Sequence, residues 1–219
     1  RYGVRPPKNV DRVIIDRVAD STSDETRTIT LEPNSHLLYC FAVLGGQIRR
    51  RLTINLEDRA KARVVGFFVG SGNDQYRLHI TMHHLGRGTT GLTNLRGALG
   101  GSAFADATGL IDIPASGQGA NAFFEARTLL LSRTAKSESL PSLEIAANDV
   151  KAGHASTTSG LDATNLFYLM SRGLPKLLSA RMLVEGLLGA PLRLLPEAER
   201  VSLLGHLHAA VANLPLADA

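Results

Sequence analysis

The stretch GRGTTGLTNLRGALGGSAFADATGLIDIPASGQGANAFFEARTLLLS, residues 86–132, decides between the fold classes open to this chain. It contains short runs of apolar residues separated by glycines and other small residues, and it has no Asn-Gly pair of the kind that closes tight hairpins. The turns of a β-helix need small residues at their corners, and stacked turns bury a narrow apolar interior. The stretch therefore favours a β-solenoid.

The pattern of short apolar runs separated by small and polar residues extends across residues 10–150. Short β-branched or apolar runs, several alternating with period two, predict strands at RVIID, RTITL, HLLYCFAVL, RLTINL, ARVVGFFVG, YRLHITMHHL, GLIDI, AFFEARTLLLS and LEIAA. No helical segment of ten residues interrupts them, which excludes a regular βαβ pattern. A sandwich, a barrel and a solenoid stay open on periodicity alone, and the spacing of the repeat is too irregular to choose between them.

After Gly160 the period becomes helical. Asp162 is placed to cap a first helix that Gly173 ends, Pro175 opens a second helix ending near Gly189, and Pro196 starts a third. Of the sixty residues from 160 onward seventeen are Leu, so we expect this tail to pack on the β-body or on a partner. We predict a β-domain over 1–159 and a helical domain over 160–219.

Composition narrows the function classes. Apolar residues make up 44% of the chain, but no run is long enough to suggest a membrane span. The single Cys40 excludes an internal disulfide framework, and residues 1–16 lack the apolar segment of a signal peptide, so we expect a cytoplasmic protein. The chain does not begin with Met, so we expect a short form or a fragment. Basic clusters at 49–51 and 59–63 lack the stacking aromatics of a nucleic-acid surface, so we expect no nucleic acid.

Individual motifs carry little chemistry by themselves. GRGTTG at 86–91 matches a dinucleotide pattern, but the segment after it is a poor helix, so a glycine-rich strand corner is favoured. His79 and His83 share one predicted strand face and His84 takes the other, with no metal partner nearby in sequence, so ordinary strand histidines are favoured over ligands. We expect Cys40 to be a buried small hydrophobe. No Walker lysine is present, so any ATP would have to bind to a partner.

His154 stands in NDVKAGHASTTSGLDATNLFYLMSRG, residues 148–173. We predict that it lies on the surface or at an interface, in a turn between the last strand and the first helix, with Glu144 and Asp149 as possible anionic partners. The spacing by itself supports no further role.

The segment from about 78 to 189 resembles the SufB/SufD family, the scaffold subunits of Suf iron–sulfur cluster assembly. The resemblance is carried by the LEI strand at 143–145, Asp149 and Val150, His154, Leu161 and Asp162, the LFYL string at 166–169 and Ser-Arg-Gly at 171–173. His84, in HHLG, and LLLS at 129–132 also match family positions.

The resemblance implies a right-handed parallel β-helix followed by a small C-terminal helical region. It implies a non-enzymatic subunit that dimerises through the β-helix with a SufB/SufD paralogue or with itself. It further implies an ABC-type ATPase, SufC, docked on the C-terminal helices, where Phe167, Tyr168, Arg172 and Gly173 are the expected contact residues. His154 is then expected at the dimer interface, handling iron or a cluster that binds transiently rather than as a stable cofactor.

Two departures from the family pattern stand in this sequence. Ala152 occupies the position where some members carry a cysteine two residues before the histidine, and the 121–132 strand has no cysteine. Because protein clusters are normally held by cysteine thiolates, these departures favour a SufD-like or divergent subunit over a full SufB scaffold. We also expect the N-terminal helical region of the family to be absent from this short form or fragment. A carbohydrate-active β-helix and a purely structural β-helix remain as alternatives.

Overall fold

The computed structural model describes residues 12–19 and 22–216. The expectations about a signal peptide and about the first eleven residues of the β-domain lie outside these ranges. The described strands are β1 (Arg12–Ala19), β2 (Thr22–Leu31), β3 (His36–Leu44), β4 (Gln47–Leu56), β5 (Lys61–Gly70), β6 (Gln75–His84), β7 (Thr90–Leu99), β8 (Phe104–Ile113), β9 (Ala120–Leu130), β10 (Lys136–Glu138), β11 (Pro141–Ile145) and β12 (Val150–Ser159).

The strands form two parallel sheets that face each other. Sheet 1 has the order β1-β3-β5-β7-β9-β12, and sheet 2 has the order β10-β8-β6-β4-β2, with β11 also paired to β8. Up to β9 the chain alternates between the sheets at each strand, so each pair of strands adds one coil. The result is a β-solenoid of about five turns. The prediction of a mainly β, parallel solenoid followed by C-terminal helices is confirmed.

The interior of the solenoid is filled by the inward residues of both sheets, most of them aliphatic or Ala. Large rings in this stack need small neighbours. Phe41 pairs in register with Gly66, where a Cβ would come within 2.3 Å of its ring, and Phe68 pairs with Gly97, where the distance would be 2.1 Å. Glycines in the middle strands therefore make room for aromatics of the neighbouring turn, which accounts for the glycine-rich texture of the sequence.

Three helices follow the last strand: α1 (Ala163–Ser171), α2 (Lys176–Gly189) and α3 (Glu197–Ala212), with a 3-10 turn at Ala190–Leu194. Asp162 caps α1 by accepting hydrogen bonds from the amides of Thr164 and Asn165, as predicted. The helices pack on the outer face of sheet 1, where α2, α3 and the 3-10 turn share one apolar cluster with strand residues such as Leu38 and Phe67. The expectation that the Leu-rich tail packs on the β-body is confirmed. The division into two domains at 159/160 stays a prediction, although β12 ends at Ser159 and α1 begins at Ala163.

The basic cluster at 49–51 does not form one surface patch. Arg50 points into the solenoid and is only 4% exposed, while Arg49 and Arg51 lie on the opposite face of β4. The Arg50 guanidinium is held between the carboxylates of Asp16, at 2.9 Å, and Glu25. One of the three arginines therefore belongs to an internal ion-pair cluster and is not available to bind a polyanion.

Candidate functional site

The C-terminal end of the solenoid, formed by β10, β11 and β12, is here called the terminal turn. In the described part of the chain β12 pairs only with β9, and β10 and β11 pair only with β8, so one edge of each sheet carries no further strand. Apolar side chains are exposed there as well: Leu140 is 72% exposed, Ile145 42% and Leu143 37%. Free strand edges beside exposed apolar side chains are typical of a surface that another chain covers.

His154 lies in the middle of β12, so its predicted placement in a turn was wrong. The turn was inferred because the sequence that leads to the first helix, around His154, is polar and rich in turn-forming residues. Its strand conformation comes instead from ten consecutive in-register pairings with β9. Tertiary pairing therefore overrides a weak local signal at this edge.

The register also places the His154 side chain. His154 pairs with Phe124, and its neighbours Ala152 and Ser156 pair with Ala122 and Ala126. These three β9 residues all belong to the core, so His154 lies on the inward face of sheet 1. It is exposed because no described strand stacks beyond β12. A solvent-accessible imidazole therefore stands at the mouth of the solenoid interior, at the terminal turn.

His154 stands alone among the described residues as a candidate ligand at this edge. No carboxylate there lies within 4 Å of it, so the suggested pairing with Glu144 or Asp149 is not formed. Glu144 pairs in register with Asp112 on the outer face of sheet 2. No group of three or more His, Cys, Asp or Glu side chains in the described ranges is arranged to hold a metal ion. Ala152 occupies the inward position next to His154 and supplies no thiol.

The second candidate surface is α1 and the turn after it. Among the described residues no side chain of α1 is buried: Phe167 is 72% exposed and Tyr168 55%. Arg172 caps the helix, and its guanidinium carbon lies 5.2 Å from the centre of the Tyr168 ring. Gly173 has φ +88°, and the amides of Gly173 and Leu174 bond back to Met170 and Leu169, which is the Schellman geometry that glycine favours. Gly173 thus shapes this surface by ending the helix.

The exposed apolar surface continues onto α2. Further apolar side chains that are more than 40% exposed are Met170 on α1 and Leu177, Leu178 and Met182 on α2. Methionine and aromatic side chains at this level of exposure are uncommon on a free surface and are enriched where proteins meet. The four residues predicted for partner docking therefore all lie on α1 or in the turn that ends it, on the same helix as the exposed apolar side chains.

The three strand histidines separate as predicted. His79 and His83 face outward from sheet 2, and His84 faces inward and is fully buried. His83 Nδ1 lies 2.7 Å from an Asp112 carboxylate oxygen on the next turn, a partner 29 residues away that the sequence spacing did not reveal. Burial lowers the pKa of His84 to about 4, and its Nδ1 contacts the Thr89 hydroxyl at 2.8 Å. These histidines have structural contacts and are not grouped as metal ligands.

Two further sequence predictions concern the GRGTTG segment and Cys40. GRGTTG forms the corner between β6 and β7, with Gly88 at φ +64° and no helix following it, so the strand-corner interpretation is confirmed. Cys40 is fully buried, and burial raises the pKa of its thiol to about 12, so it is a core residue.

The family model for the SufBD core domain of SUF-system iron–sulfur cluster assembly matches residues 11–187. The chain belongs to the SufB/SufD family. This SufB/SufD chain is 34% identical over 128 residues to the iron–sulfur cluster assembly protein SufD of Bacillus subtilis (strain 168), which covers 58% of the chain and 29% of that protein. A SufBD family protein of Mycobacterium tuberculosis (strain ATCC 25618 / H37Rv) is 32% identical over 136 residues, covering 58% of the chain and 34% of that protein.

The SufB/SufD chain spans about a third of the length of the curated relatives it matches. The matched region of the family model runs through the whole solenoid and into α2. It therefore contains both His154 and the exposed α1 surface. In the described ranges no helix is long and apolar enough to cross a membrane.

Proposed function

We propose that this chain is a non-enzymatic subunit of a cytoplasmic Suf-type iron–sulfur cluster assembly complex, and that it docks an ABC-type ATPase of the SufC kind through its C-terminal helices. The observation that carries the docking proposal is the exposed apolar surface of α1 and α2, centred on Phe167 and Tyr168. α2 and α3 bury their other faces against sheet 1, and α1 meets the same apolar cluster only through the half-buried Leu166. The part of the surface on α2 is therefore held in place, so little order is lost when a partner binds there.

The docking surface is tested by substitution in the complex. Phe167→Ser and Tyr168→Ser should each weaken binding of the cognate ATPase by about tenfold or more, since buried aromatics dominate interface energies. Val201→Ser is the matched control, because Val201 is 59% exposed but lies on α3. Binding is measured by surface plasmon resonance, and stimulation of ATP hydrolysis is measured in parallel. Equal affinities for all three variants would rule out this surface as the docking site.

The second element of the proposal is pairing through the terminal turn, with a SufB/SufD paralogue or with a second copy of the chain. The free edge of β12 and the exposed Leu140, Leu143 and Ile145 support it, because paired edges would satisfy the backbone groups and cover these side chains. His154 would then lie at the interface, beside the solenoid interior.

His154 supplies one imidazole to iron or cluster handling, and the partner supplies the remaining ligands. Support comes from its solvent-accessible position and from the lack of other ligand groups around it in the described ranges, so a metal there needs a second chain. Because no thiol accompanies it, iron or a cluster is held as transient cargo rather than as a stable cofactor.

The role of His154 is tested by iron content. Iron bound to the purified complex, measured by plasma emission spectrometry, should fall in His154→Ala and stay unchanged in His208→Ala, whose imidazole is exposed on α3. Complex assembly is checked by gel filtration, so that loss of the partner and loss of the ligand are separated. Unchanged iron in an intact His154→Ala complex would contradict the role given to His154.

A further inference from the structure

The outer face of sheet 2 carries a square of basic and imidazole side chains on two neighbouring strands. Arg49 pairs in register with Arg77, and Arg51 pairs with His79. All four lie on the outward face, because side chains alternate along β4 and β6 and the intervening residues point inward. Together with Thr108 and Asp106 they line a shallow cavity of about 210 Å³.

The positive charge in this cavity is only partly balanced by the chain itself. One carboxylate, that of Asp24, lies 3.0 Å from an Arg51 nitrogen and 3.5 Å from an Arg49 nitrogen, so two guanidiniums share a single counter-charge. Arg77 has no carboxylate oxygen within 4 Å in the described ranges, although Asp106 is its in-register neighbour on β8. Like charges directly opposite on neighbouring strands destabilise a sheet. The Arg49–Arg77 pair therefore costs stability unless an anion joins it.

The walls of the cavity are held in place. Both ring nitrogens of His79 contact hydroxyl groups, Nδ1 that of Thr108 at 2.8 Å and Nε2 that of Thr81 at 3.2 Å. Arg51 also donates to the Thr26 hydroxyl at 3.2 Å. A fixed imidazole and a fixed guanidinium reduce the side-chain entropy that binding has to remove.

The surroundings limit the ligand to a compact anion. The basic square is two strands wide, and carboxylates flank it on both sides, Asp24 on β2 and Asp106 on β8. An extended polyanion such as a nucleic acid would run across both carboxylates, whereas a single phosphate or diphosphate group can contact the guanidiniums with only Asp106 at the cavity wall. Arginine guanidiniums bind phosphate oxygens with two parallel hydrogen bonds, which suits three guanidiniums around one cavity.

We propose that Arg49, Arg51 and Arg77 form a binding site for a compact phosphate-class anion, either free phosphate or diphosphate or the phosphate end of a small molecule. The site is separate from the terminal turn and from α1. It does not depend on the role proposed for this chain in cluster assembly.

The proposal is tested with inorganic diphosphate and inorganic phosphate as probes, by isothermal titration calorimetry and by the melting temperature of the full chain. Diphosphate should bind saturably and raise the melting temperature, because a ligand that binds only the folded state stabilises it. Arg77→Gln and Arg51→Gln should each weaken this binding by about tenfold or more. Arg87→Gln is the matched control, since Arg87 is exposed at a corner outside the cavity, and it should bind as the parent chain does.

The melting temperature measured without ligand distinguishes an anion-binding site from arginines that only stabilise the fold. Removing Arg77 relieves the repulsion with Arg49, so Arg77→Gln should melt at the same or a higher temperature. A lower value would indicate that Arg77 is a structural partner and would overturn the proposal. So would a lack of saturable binding of both anions up to about 10 mM, or equal weakening in Arg87→Gln. Tighter binding of a single-stranded oligonucleotide than of diphosphate would show that the site binds an extended polyanion, and it would overturn the proposal of a compact ligand.

Discussion

Burial of His84 inside the solenoid predicts how the stability of the protein depends on pH. Its ring is fully buried, its Nδ1 contacts Thr89, and its Nε2 has no hydrogen-bond partner among the described residues. The ring also fits closely: a Cβ on Gly91 would come within 2.7 Å of Nε2. Burial lowers the pKa of His84 from 6.5 to about 4, an effect that the nearby Asp112 opposes. The imidazole is therefore neutral in the folded protein over most of the pH range where the unfolded chain carries a proton.

The sign of the pH effect follows from proton binding. Between about pH 4 and pH 6.5 the unfolded state binds one more proton at His84 than the folded state, so the free energy of unfolding rises with pH across this window. The full effect, at about 1.4 kcal/mol for each factor of ten between the two dissociation constants, is roughly 3 kcal/mol. About 2 kcal/mol of it is lost between pH 7.5 and pH 5.

The assay is urea unfolding of the parent chain, His84→Gln and His208→Gln at both pH values. The His84→Gln variant removes the titrating group, so its free energy of unfolding should lose about 2 kcal/mol less than that of the parent on going to pH 5. His208 is exposed on α3, and His208→Gln should follow the parent. Parallel pH profiles for the parent and His84→Gln, or an NMR titration of His84 near pH 6.5, would refute the argument.

Three further outcomes follow from packing. Gly97→Ala should lower the free energy of unfolding by about 1–3 kcal/mol in urea titrations, because its Cβ would come within 2.1 Å of the Phe68 ring; an unchanged midpoint would show that the ring moves freely. Asp162→Ala should cost about 1 kcal/mol of α1 stability, seen as faster amide exchange in α1 with the solenoid unchanged, whereas unchanged exchange in α1 would show that the Asp162 cap does not stabilise the helix. Cys40 should react with an aromatic disulfide reagent only after denaturation, because its thiol is buried and its pKa is raised; rapid labelling of the native chain would contradict this.

Much of the solenoid could be predicted from the sequence because its middle strands have two buried faces or a clear alternation. HLLYCFAVL predicts β3 over its full length, and the assignment of His79 and His84 to opposite faces of β6 is confirmed. The exact repeat could not be read, since the turns differ in length. His36 pairs with Lys61, Lys61 with Thr90, and Thr90 with Asn121, which gives turns of 25, 29 and 31 residues.

Three strands were missed, the three-residue β10 and the longer β7 and β12, and the two longer ones share a physical cause. In β7 the positions that face Phe68 and His84 are occupied by Gly97 and Gly91, so the strand carries glycines where a β-branched residue would have signalled it. In β12 the inward face is uncovered, so polar residues such as His154 replace apolar ones. Both strands depend on neighbouring turns rather than on their own propensity.

The candidate sites were predictable to different degrees. The positions on α1 came from the family resemblance, and the structure adds that no described side chain of α1 is buried and that exposed apolar side chains follow on α2. The placement of His154 on the inward face required the register with β9. The basic square on sheet 2 was invisible in the sequence, because Arg49 and Arg77 are 28 residues apart and become neighbours only when the turns stack.

Native mass spectrometry of the complex tests the central proposal most directly, because it gives partner identity and iron content together. The chain is co-expressed with the ABC-type ATPase and the SufB/SufD paralogue of its own assembly system and purified without added metal. The account predicts a complex that contains the ATPase and either the paralogue or a second copy of the chain, with no stoichiometric iron on the chain alone. A chain that is recovered only by itself, with both candidate partners folded and abundant in the same lysate, would contradict it.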